Sequence, residues 1–252
     1  MGTVILSPHL DDAVLSCWHV LTQPGEVTVV NVFAGIPTGL EEPAWWDRYT
    51  GAADSGERVR ERIEEDRRAL SLAGRVPVNL DILDEQYRDG QPPPSLTGRL
   101  REVIEPGAIV YAPATFTDHA DHRLVGAAAL ELRAQECAVF LYADLPHANV
   151  RGWPEWVTGT SHPASKDLVS AFWDHCLAGT GIPPHDLTPK VHDLDAEAYA
   201  RKVEAVRMYT TQVAALTEYA GRPLSDHEAL GYEVVWAIAS FTRAADRAAS
   251  RP

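Results

Sequence analysis

The sequence predicts an α/β fold, a Rossmann-like three-layer sandwich with a mostly parallel central sheet. Short apolar runs rich in β-branched residues alternate along the chain with segments of helical spacing, the pattern of strands joined by covering helices. The run at 27–33 is almost continuously apolar, as expected for a central parallel strand buried on both faces. No Gly-rich dinucleotide fingerprint accompanies these strands, so nothing indicates NAD.

Each element follows from its local pattern. Strands are predicted at residues 4–6, 27–33, 76–83, 108–113 and 138–142, and helices at about 12–21, 59–74, 96–104 and 124–130. A late helix is predicted from the three-and-four spacing of apolar residues between Tyr199 and Leu216. The capping-box pattern from Ser225 to Glu228 predicts a last helix that runs through Leu230, Val234 and Ile238.

The length of 252 residues and a hydrophobic content of 45% suffice for one sizeable α/β domain. Because no linker divides the chain, we predict a single domain over residues 1–252. Two stretches depart from the strand and helix patterns, at about 35–54 and 144–193, and both are rich in Pro, Gly and aromatic residues. They are predicted to shape a substrate pocket.

Charge and cysteine content restrict the partners and the location of the protein. A formal net charge of −14 argues against nucleic acid and against an anionic membrane. No apolar run reaches the roughly 18 residues of a membrane span, and no signal peptide precedes the first strand, so we expect a cytoplasmic protein. The three cysteines lie far apart, which indicates neither a disulfide framework nor a thiolate metal site.

The first strand is followed at once by a His and two adjacent carboxylates, His9, Asp11 and Asp12. Ligand sites of open α/β sheets lie at this point, where a strand ends and a helix begins. His9 and Asp12 stand three apart and could hold one metal ion, with Asp11 left free. In the alternative interpretation, which the motif alone leaves equally open, Asp11 or Asp12 merely caps a helix.

A second cluster of the same kind favours the metal site. The fourth predicted strand is followed by Asp118-His119-Ala120-Asp121-His122 and then by a helical segment. A second histidine-rich cluster at a second strand end supplies the remaining ligand for a site with His and carboxylate donors. Such a set suits zinc and leaves a coordination position for water, so a hydrolytic metal centre is the leading hypothesis.

The Pro-His-x-Asp-Asp run at 8–12, together with the His-Ala-Asp-His run at 119–122, resembles the LmbE-like, or PIG-L, family of zinc-dependent N-deacetylases. Similarity extends over residues 62–74 and over the Lys-x-x-Ala-x-x-x-Tyr-x-x-Gln run at 202–212. The resemblance implies an LmbE-like fold. It also implies one Zn²⁺ per chain, for which other divalent metals can substitute, held by the ligands His9, Asp12 and His122.

The resemblance implies three further roles. Asp11 matches the general base of the family, and His119 matches a histidine that stabilises the oxyanion or protonates the leaving amine. Arg62 falls where the family can have a substrate-binding arginine. The acidic residue that often follows the Asp pair is Ala13 here, which removes neither a ligand nor the base.

The implied function is zinc-dependent removal of an acetyl or other acyl group from the amide nitrogen of an N-acetylated sugar. The substrate would be an N-acetylglucosaminyl conjugate or a glycosylated intermediate of secondary metabolism. Two alternatives stay open: an amidase that acts on a larger acyl or thiol conjugate, and a non-catalytic sugar-binding module. The sequence leaves the exact substrate undecided, and a homo-oligomer is possible.

Two further features of the sequence concern the pocket. Trp45 and Trp46 lie in the first of the two loops, where they either stack on a sugar face or a lipid-like tail or pack the loop onto the domain. His147 follows the fifth predicted strand and could line the site, although most histidines of such a stretch are surface or packing residues.

Overall fold

A computed structural model describes residues 2–93, 95–134, 137–160 and 165–239. They share one seven-stranded sheet in the order β3-β2-β1-β4-β5-β7-β6. Strands β1 to β5 run parallel, whereas β7 is antiparallel to β5 and β6 is antiparallel to β7. The strands are β1 (Thr3–Ser7), β2 (Val27–Asn31), β3 (Pro77–Asn79), β4 (Ile109–Pro113), β5 (Ala138–Tyr142), β6 (Leu187–Asp193) and β7 (Tyr232–Ile238).

Helices connect the strands and pack in two groups. Those of the described chain are α1 (Asp12–Ser16), α2 (Trp18–Leu21), α3 (Trp45–Tyr49), α4 (Ser55–Ser71), α5 (Leu96–Arg101), α6 (Ala120–Arg133), α7 (Glu155–Thr158), α8 (Lys166–Gly179), α9 (Ala196–Val206), α10 (Val213–Ala220) and α11 (His227–Leu230). Helix α9 contacts α1, α2, α4 and α11, whereas α5 and α6 contact each other, and α6 packs on β4 and β5. The mostly parallel α/β fold that the sequence predicts is confirmed.

The sheet topology places three strand ends next to one another. In the parallel sheet, β1 lies between β2 and β4, and β4 lies between β1 and β5. The chain proceeds from β1 towards β3 on one side and returns to β4 and β5 on the other, so the order of connection reverses between β1 and β4. Such a reversal opens a crevice at the carboxyl ends of the strands, which is where ligands bind in sheets of this type.

The segment from His227 to Ile238 differs from its prediction. Helix α11 stops at Leu230, and the segment predicted to continue it forms β7 instead. The spacing of Leu230, Val234 and Ile238 fits a helix, but Val234, Val235 and Trp236 are all buried, because β7 pairs with a strand on each side. Long-range pairing outweighed the local helical period in this β-branched segment.

Two other segments also differ from the prediction. The late helix is divided into α9 and α10, since the intervening residues turn to bring Tyr209 and Thr210 onto carboxylates of α4. The stretch predicted as irregular at 144–193 contains α7, α8 and β6. Strand β6 has no apolar run because it lies at the sheet edge, where Pro189 is tolerated. Residues 161–164 of this stretch lie outside the described residues, and the single-domain organisation stays a prediction.

No helix within the described ranges combines the length and the apolarity of a membrane span.

Candidate active site

The site is built from the segments that follow β1, β4 and β5. His9 and Asp11 come from the turn after β1 and Asp12 is the first residue of α1, while His122 lies in the first turn of α6. Asp144 lies two residues after the end of β5. All five side chains are buried, with at most 9% of any residue exposed. Residues from separate parts of the sequence thus meet at the crevice that the strand order predicts.

The three predicted metal ligands converge. One donor atom from each of His9, Asp12 and His122 lies within 4.8 Å of the donor atoms of the other two. His9 Nδ1 and His122 Nε2 both lie 3.5 Å from Asp12 Oδ2. The backbone N–H of His9 donates to the same carboxylate oxygen at 2.8 Å and fixes its orientation.

The second nitrogen of each histidine faces a carboxylate. His122 Nδ1 lies 2.9 Å from Asp144 Oδ2, and His9 Nε2 lies 3.3 Å from Asp121 Oδ2. A carboxylate on the far nitrogen orients a metal-ligating imidazole and raises its basicity. The other nitrogen of each ring points towards Asp12 Oδ2, so the three donor atoms fit a divalent metal ion.

The roles of Asp121 and Asp144 were missed by the sequence analysis. Asp144 carried a usable signal, because it follows a predicted parallel strand just as the His9 turn does. Asp121 gave none, since its contacts are long-range: Arg88 Nη2 donates to Asp121 Oδ1 at 2.7 Å, and the N–H of Glu85 donates to Oδ2 at 2.9 Å. A second group of possible donors combines His9 and Asp121 with Asp84 and His119. Asp121 is already engaged by Arg88, so it has fewer free lone pairs for an ion.

Asp11 is buried beside Asp12 but takes no part in the convergent set. Its nearest charged partner is Arg62, whose Nη2 lies 3.9 Å from Asp11 Oδ2. Burial and, second, the charge of Asp12 raise the pKa of Asp11 to about 7. Asp12 differs from Asp11. Burial would raise the pKa of Asp12, but the nearby His122 and His9 rings hold it below its ordinary value. The pKa values of the two neighbouring carboxyl groups are therefore shifted in opposite directions, so that Asp12 is ionised at neutral pH while Asp11 can take up or release a proton.

Arg62 projects from α4 into the site. It is 6% exposed and lines the cavity, and its Nε has no hydrogen-bond partner within the described residues. Burial opposes the charged guanidinium, but Asp11 and Asp84 raise the pKa of Arg62. The arginine therefore stays charged at the edge of the cavity.

His119 caps the N-terminus of α6 and lines the same cavity. Its Nδ1 accepts a hydrogen bond from the N–H of Asp121 at 3.3 Å, and Glu85 Oε2 lies 3.4 Å from the same nitrogen. Burial and the positive charge of His9 lower the pKa of His119 to about 4. The ring is therefore neutral at pH 7, and the hydrogen bond from the N–H of Asp121 to Nδ1 favours the tautomer that carries the proton on Nε2.

The cavity above these residues has a volume of about 290 Å³. Of the two predicted loops, the first contributes Trp45 and Trp46, and the second contributes residues from its beginning, including His147. The His147 ring lies edge-on to His122, with centroids 5.2 Å apart, and its Nδ1 lies 2.9 Å from Tyr219 Oη. The predicted substrate arginine Arg62, the base Asp11 and His119 also line it.

An α/β sheet that brings two histidines and a carboxylate together at a strand-order reversal has the donor set of a divalent-metal site. Comparison with known proteins identifies the family: residues 4–133, about half of the chain, match the PIG-L model described as GlcNAc-PI de-N-acetylase. The chain belongs to this family, as its sequence motifs predict.

Similar proteins have been characterised or solved. The chain is 26% identical over 183 residues to a 2'-N-acetylparomamine deacetylase from Niallia circulans; the match covers 57% of this chain and 66%, just under two thirds, of that protein. The A40926 pseudoaglycone deacetylase Dbv21 is 26% identical, with 96% of this chain and 98% of that chain covered at a TM-score of 0.65. The zinc-inhibited form of teicoplanin deacetylase Orf2 has a TM-score of 0.69 at 22% identity, covering 96% of this chain and 100% of that one. These proteins are described as deacetylases, as the sequence predicts for this chain, and the likeness to Orf2 supports the fold.

Proposed function

We propose that this protein is a zinc-dependent N-deacetylase that acts on an N-acetylated sugar conjugate. The observation that carries the proposal is the convergence of His9, Asp12 and His122 beside a separate, buried carboxyl group, Asp11. A site that only bound sugars would have no need for a buried base next to a metal-ligand set.

A divalent metal in this site supplies Lewis-acid chemistry, which polarises a carbonyl and acidifies water. His9, Asp12 and His122 would hold it, and zinc suits their nitrogen and oxygen donors. Asp11 then accepts a proton from the water that attacks the acetamide carbonyl. Its pKa of about 7 suits a general base at neutral pH. Arg62, 3.9 Å away, favours the ionised form of Asp11.

His119 acts on the oxygen of the same carbonyl. With Nδ1 occupied by the N–H of Asp121, the Nε2–H of the neutral ring donates a hydrogen bond to the negative charge that develops on that oxygen. Asp11, now protonated, returns its proton to the amide nitrogen as the carbon–nitrogen bond breaks. The products are a free amine and acetate.

The sugar class of the substrate rests on the relatives. The PIG-L model is described by an N-acetylglucosamine substrate, and the curated relative is named for an N-acetylated aminoglycoside. Dbv21 is named for the pseudoaglycone of the antimicrobial reagent A40926. A small glycosylated molecule with one N-acetyl group is therefore the substrate class that we propose.

The test compares amine release from N-acetylglucosamine conjugates by the wild-type protein and by Asp11→Asn. Asparagine keeps the size of the side chain but cannot accept the proton, so kcat should fall by about 10³ while metal content is unchanged. Asp174→Asn, a matched change at an exposed position of α8, should leave kcat unaltered. Equal turnover by Asp11→Asn and the wild type would contradict the proposed role of Asp11.

A further inference from the structure

Two unlike groups of side chains line the cavity. One is polar and consists of the metal-ligand set, Asp11 and Arg62. The other, the aromatic wall, consists of Trp45 and Trp46 of α3 together with Leu216 and Tyr219 of α10. Nothing in the proposed deacetylation requires these four side chains, because the proposed ligands, base and hydrogen-bond donor are all other residues.

Part of the aromatic wall is exposed to solvent, since Trp45 and Tyr219 are exposed while Trp46 and Leu216 are half-buried. Trp45 is 63% exposed and Tyr219 is 49% exposed, and Tyr49 on the same short helix as Trp45 is 52% exposed. Trp18, Trp173 and Trp236, in contrast, are each at most 2% exposed. A group of large apolar side chains left open beside a cavity is characteristic of a binding surface.

The wall is also held in place. Trp46 Nε1 donates to Gln212 Oε1 at 2.8 Å, and Tyr49 Oη donates to Glu218 Oε2 at 2.7 Å, so two hydrogen bonds join α3 to the α10 segment. Beneath α3, the buried Asp47 accepts from Tyr87 Oη at 2.7 Å. The rings of Trp45 and Trp46 meet edge to face, with centroids 5.4 Å apart. A preorganised surface of this kind loses little conformational entropy on binding.

We propose that the aromatic wall binds an aromatic or flat apolar aglycone carried by the N-acetylated sugar. The acetamide of the sugar would lie at the metal-ligand set, and the aglycone would stack on Trp45 and Trp46. This inference rests on the proposed function and specifies its substrate further. A cationic aglycone is the competing occupant, because an ammonium group can also lie on an indole face.

The test uses glycosides of N-acetylglucosamine with methyl, 2-naphthyl and 2-aminoethyl aglycones, and the corresponding glucosaminides that carry no acetyl group. Binding of the glucosaminides is measured by calorimetry, since they cannot be turned over. Amine release is measured with the acetylated series. We expect the naphthyl glycoside to have a KM roughly tenfold lower than the methyl glycoside, with kcat altered less.

Trp45→Ala should reduce the preference for naphthyl over methyl to about twofold in both binding and KM, and Trp46→Leu should do the same. Trp156→Ala is the control, because Trp156 is similarly exposed at 48% but lies outside the cavity, and this variant should keep the full preference. A preference that survives Trp45→Ala, or tighter binding of the aminoethyl than of the naphthyl compound, would overturn the proposal.

The two proposals can fail separately. Preferential binding of the naphthyl glucosaminide that depends on Trp45, without amine release from any glycoside, would support the aromatic wall and contradict the deacetylase. Amine release at equal kcat/KM from the methyl and naphthyl glycosides would support the deacetylase and contradict the aromatic wall.

Discussion

Two buried clusters of charged side chains lie at the N-terminal ends of the short helices α1 and α2, and they differ in how their carboxylates are satisfied. The Lys202 cluster consists of His19, Lys202 and Glu233. The metal-site cluster consists of His9, Asp11, Asp12, His122 and Asp144. Both bury ionised groups, and the metal-site cluster opens onto the cavity described above.

In the Lys202 cluster, all the hydrogen bonds converge on Glu233. Lys202 Nζ lies 2.6 Å from Glu233 Oε1, which also accepts the N–H of Trp18, while His19 contacts Oε2 through its N–H and its ring. Burial would raise the pKa of Glu233, but Lys202 and His19 lower it below its ordinary value. The negative charge of Glu233 is fully compensated inside the protein.

In the metal-site cluster, the charge of Asp11 is poorly compensated. Its ion-pair partner, Arg62, lies 3.9 Å away, and burial together with the charge of Asp12 raises the pKa of Asp11 to about 7. The direction of the pKa shift thus separates Asp11 from Glu233: a lowered pKa marks Glu233 as a carboxylate that stabilises the fold, whereas the raised pKa of Asp11 means that its charge destabilises the fold, as is common at functional sites. Four substitutions test this distinction.

The largest effect on stability is expected at the Lys202 cluster. Lys202→Met leaves Glu233 buried without its cation and should lower the free energy of unfolding by about 3–5 kcal/mol, measured by urea denaturation. The double variant Lys202→Met/Glu233→Gln should recover part of that loss, because no uncompensated charge remains. A loss below about 1 kcal/mol in the single variant would show that the cluster is not the stabilising one.

At Asp11, in protein from which metal has been removed, a substitution is expected to raise the free energy of unfolding instead of lowering it. The pKa of Asp11 is about 7 in the folded state and near 3.9 in the unfolded state, so the folded state binds an extra proton between these values and stability falls as the pH rises through about 7. Asp11→Asn removes this penalty and should stabilise chelator-treated protein by about 2–4 kcal/mol at pH 8, and by much less at pH 5. A thermal unfolding series across pH checks this, and a destabilised variant at pH 8 would contradict it.

The third substitution concerns the hydrogen bond that His119 is proposed to donate. His119→Phe removes the Nε2–H and should lower kcat for amine release by about 10², with metal content unchanged. His192→Phe, in which the replaced ring stacks on His19 of the Lys202 cluster, should not change kcat. A His119 variant with normal kcat and a raised KM would assign the residue to binding instead.

The smallest effect is expected at Asp144. Asp144→Asn weakens the contact to His122 Nδ1 and should reduce the affinity for zinc by about 10- to 100-fold, measured by competition with a coloured chelator. Glu233→Gln in the other cluster should leave zinc affinity unchanged. Unaltered affinity in Asp144→Asn would show that this carboxylate does not support the metal.

Much of the fold could be predicted from the sequence because β1, β2, β4 and β5 are short apolar runs, and this composition predicts buried strands. The prediction fails for β6 and β7. β6 is a polar edge strand, and β7 has apolar residues at helical spacing but pairs with β5. Pairing between distant segments leaves no local pattern to detect.

The same limit separates the predicted from the missed site residues. His9, Asp12 and His122 lie in short motifs at strand ends, and the structure brings their donor atoms together. Asp121 and its partner Arg88 are 33 positions apart in the sequence, and Lys202 and Glu233 are 31 positions apart. Sequence spacing cannot reveal such partners, and the exposure of the aromatic wall is likewise visible only in three dimensions.

The most direct test of the metal-site cluster is elemental analysis of purified wild-type protein, His122→Ala and the control His192→Ala. We predict about one equivalent of a divalent metal per chain in the wild type and in His192→Ala, and a loss of most of it in His122→Ala. If the wild type binds no metal even after incubation with Zn²⁺ and gel filtration, or if His122→Ala retains a full equivalent, the buried carboxylates beside His122 do not serve a metal centre.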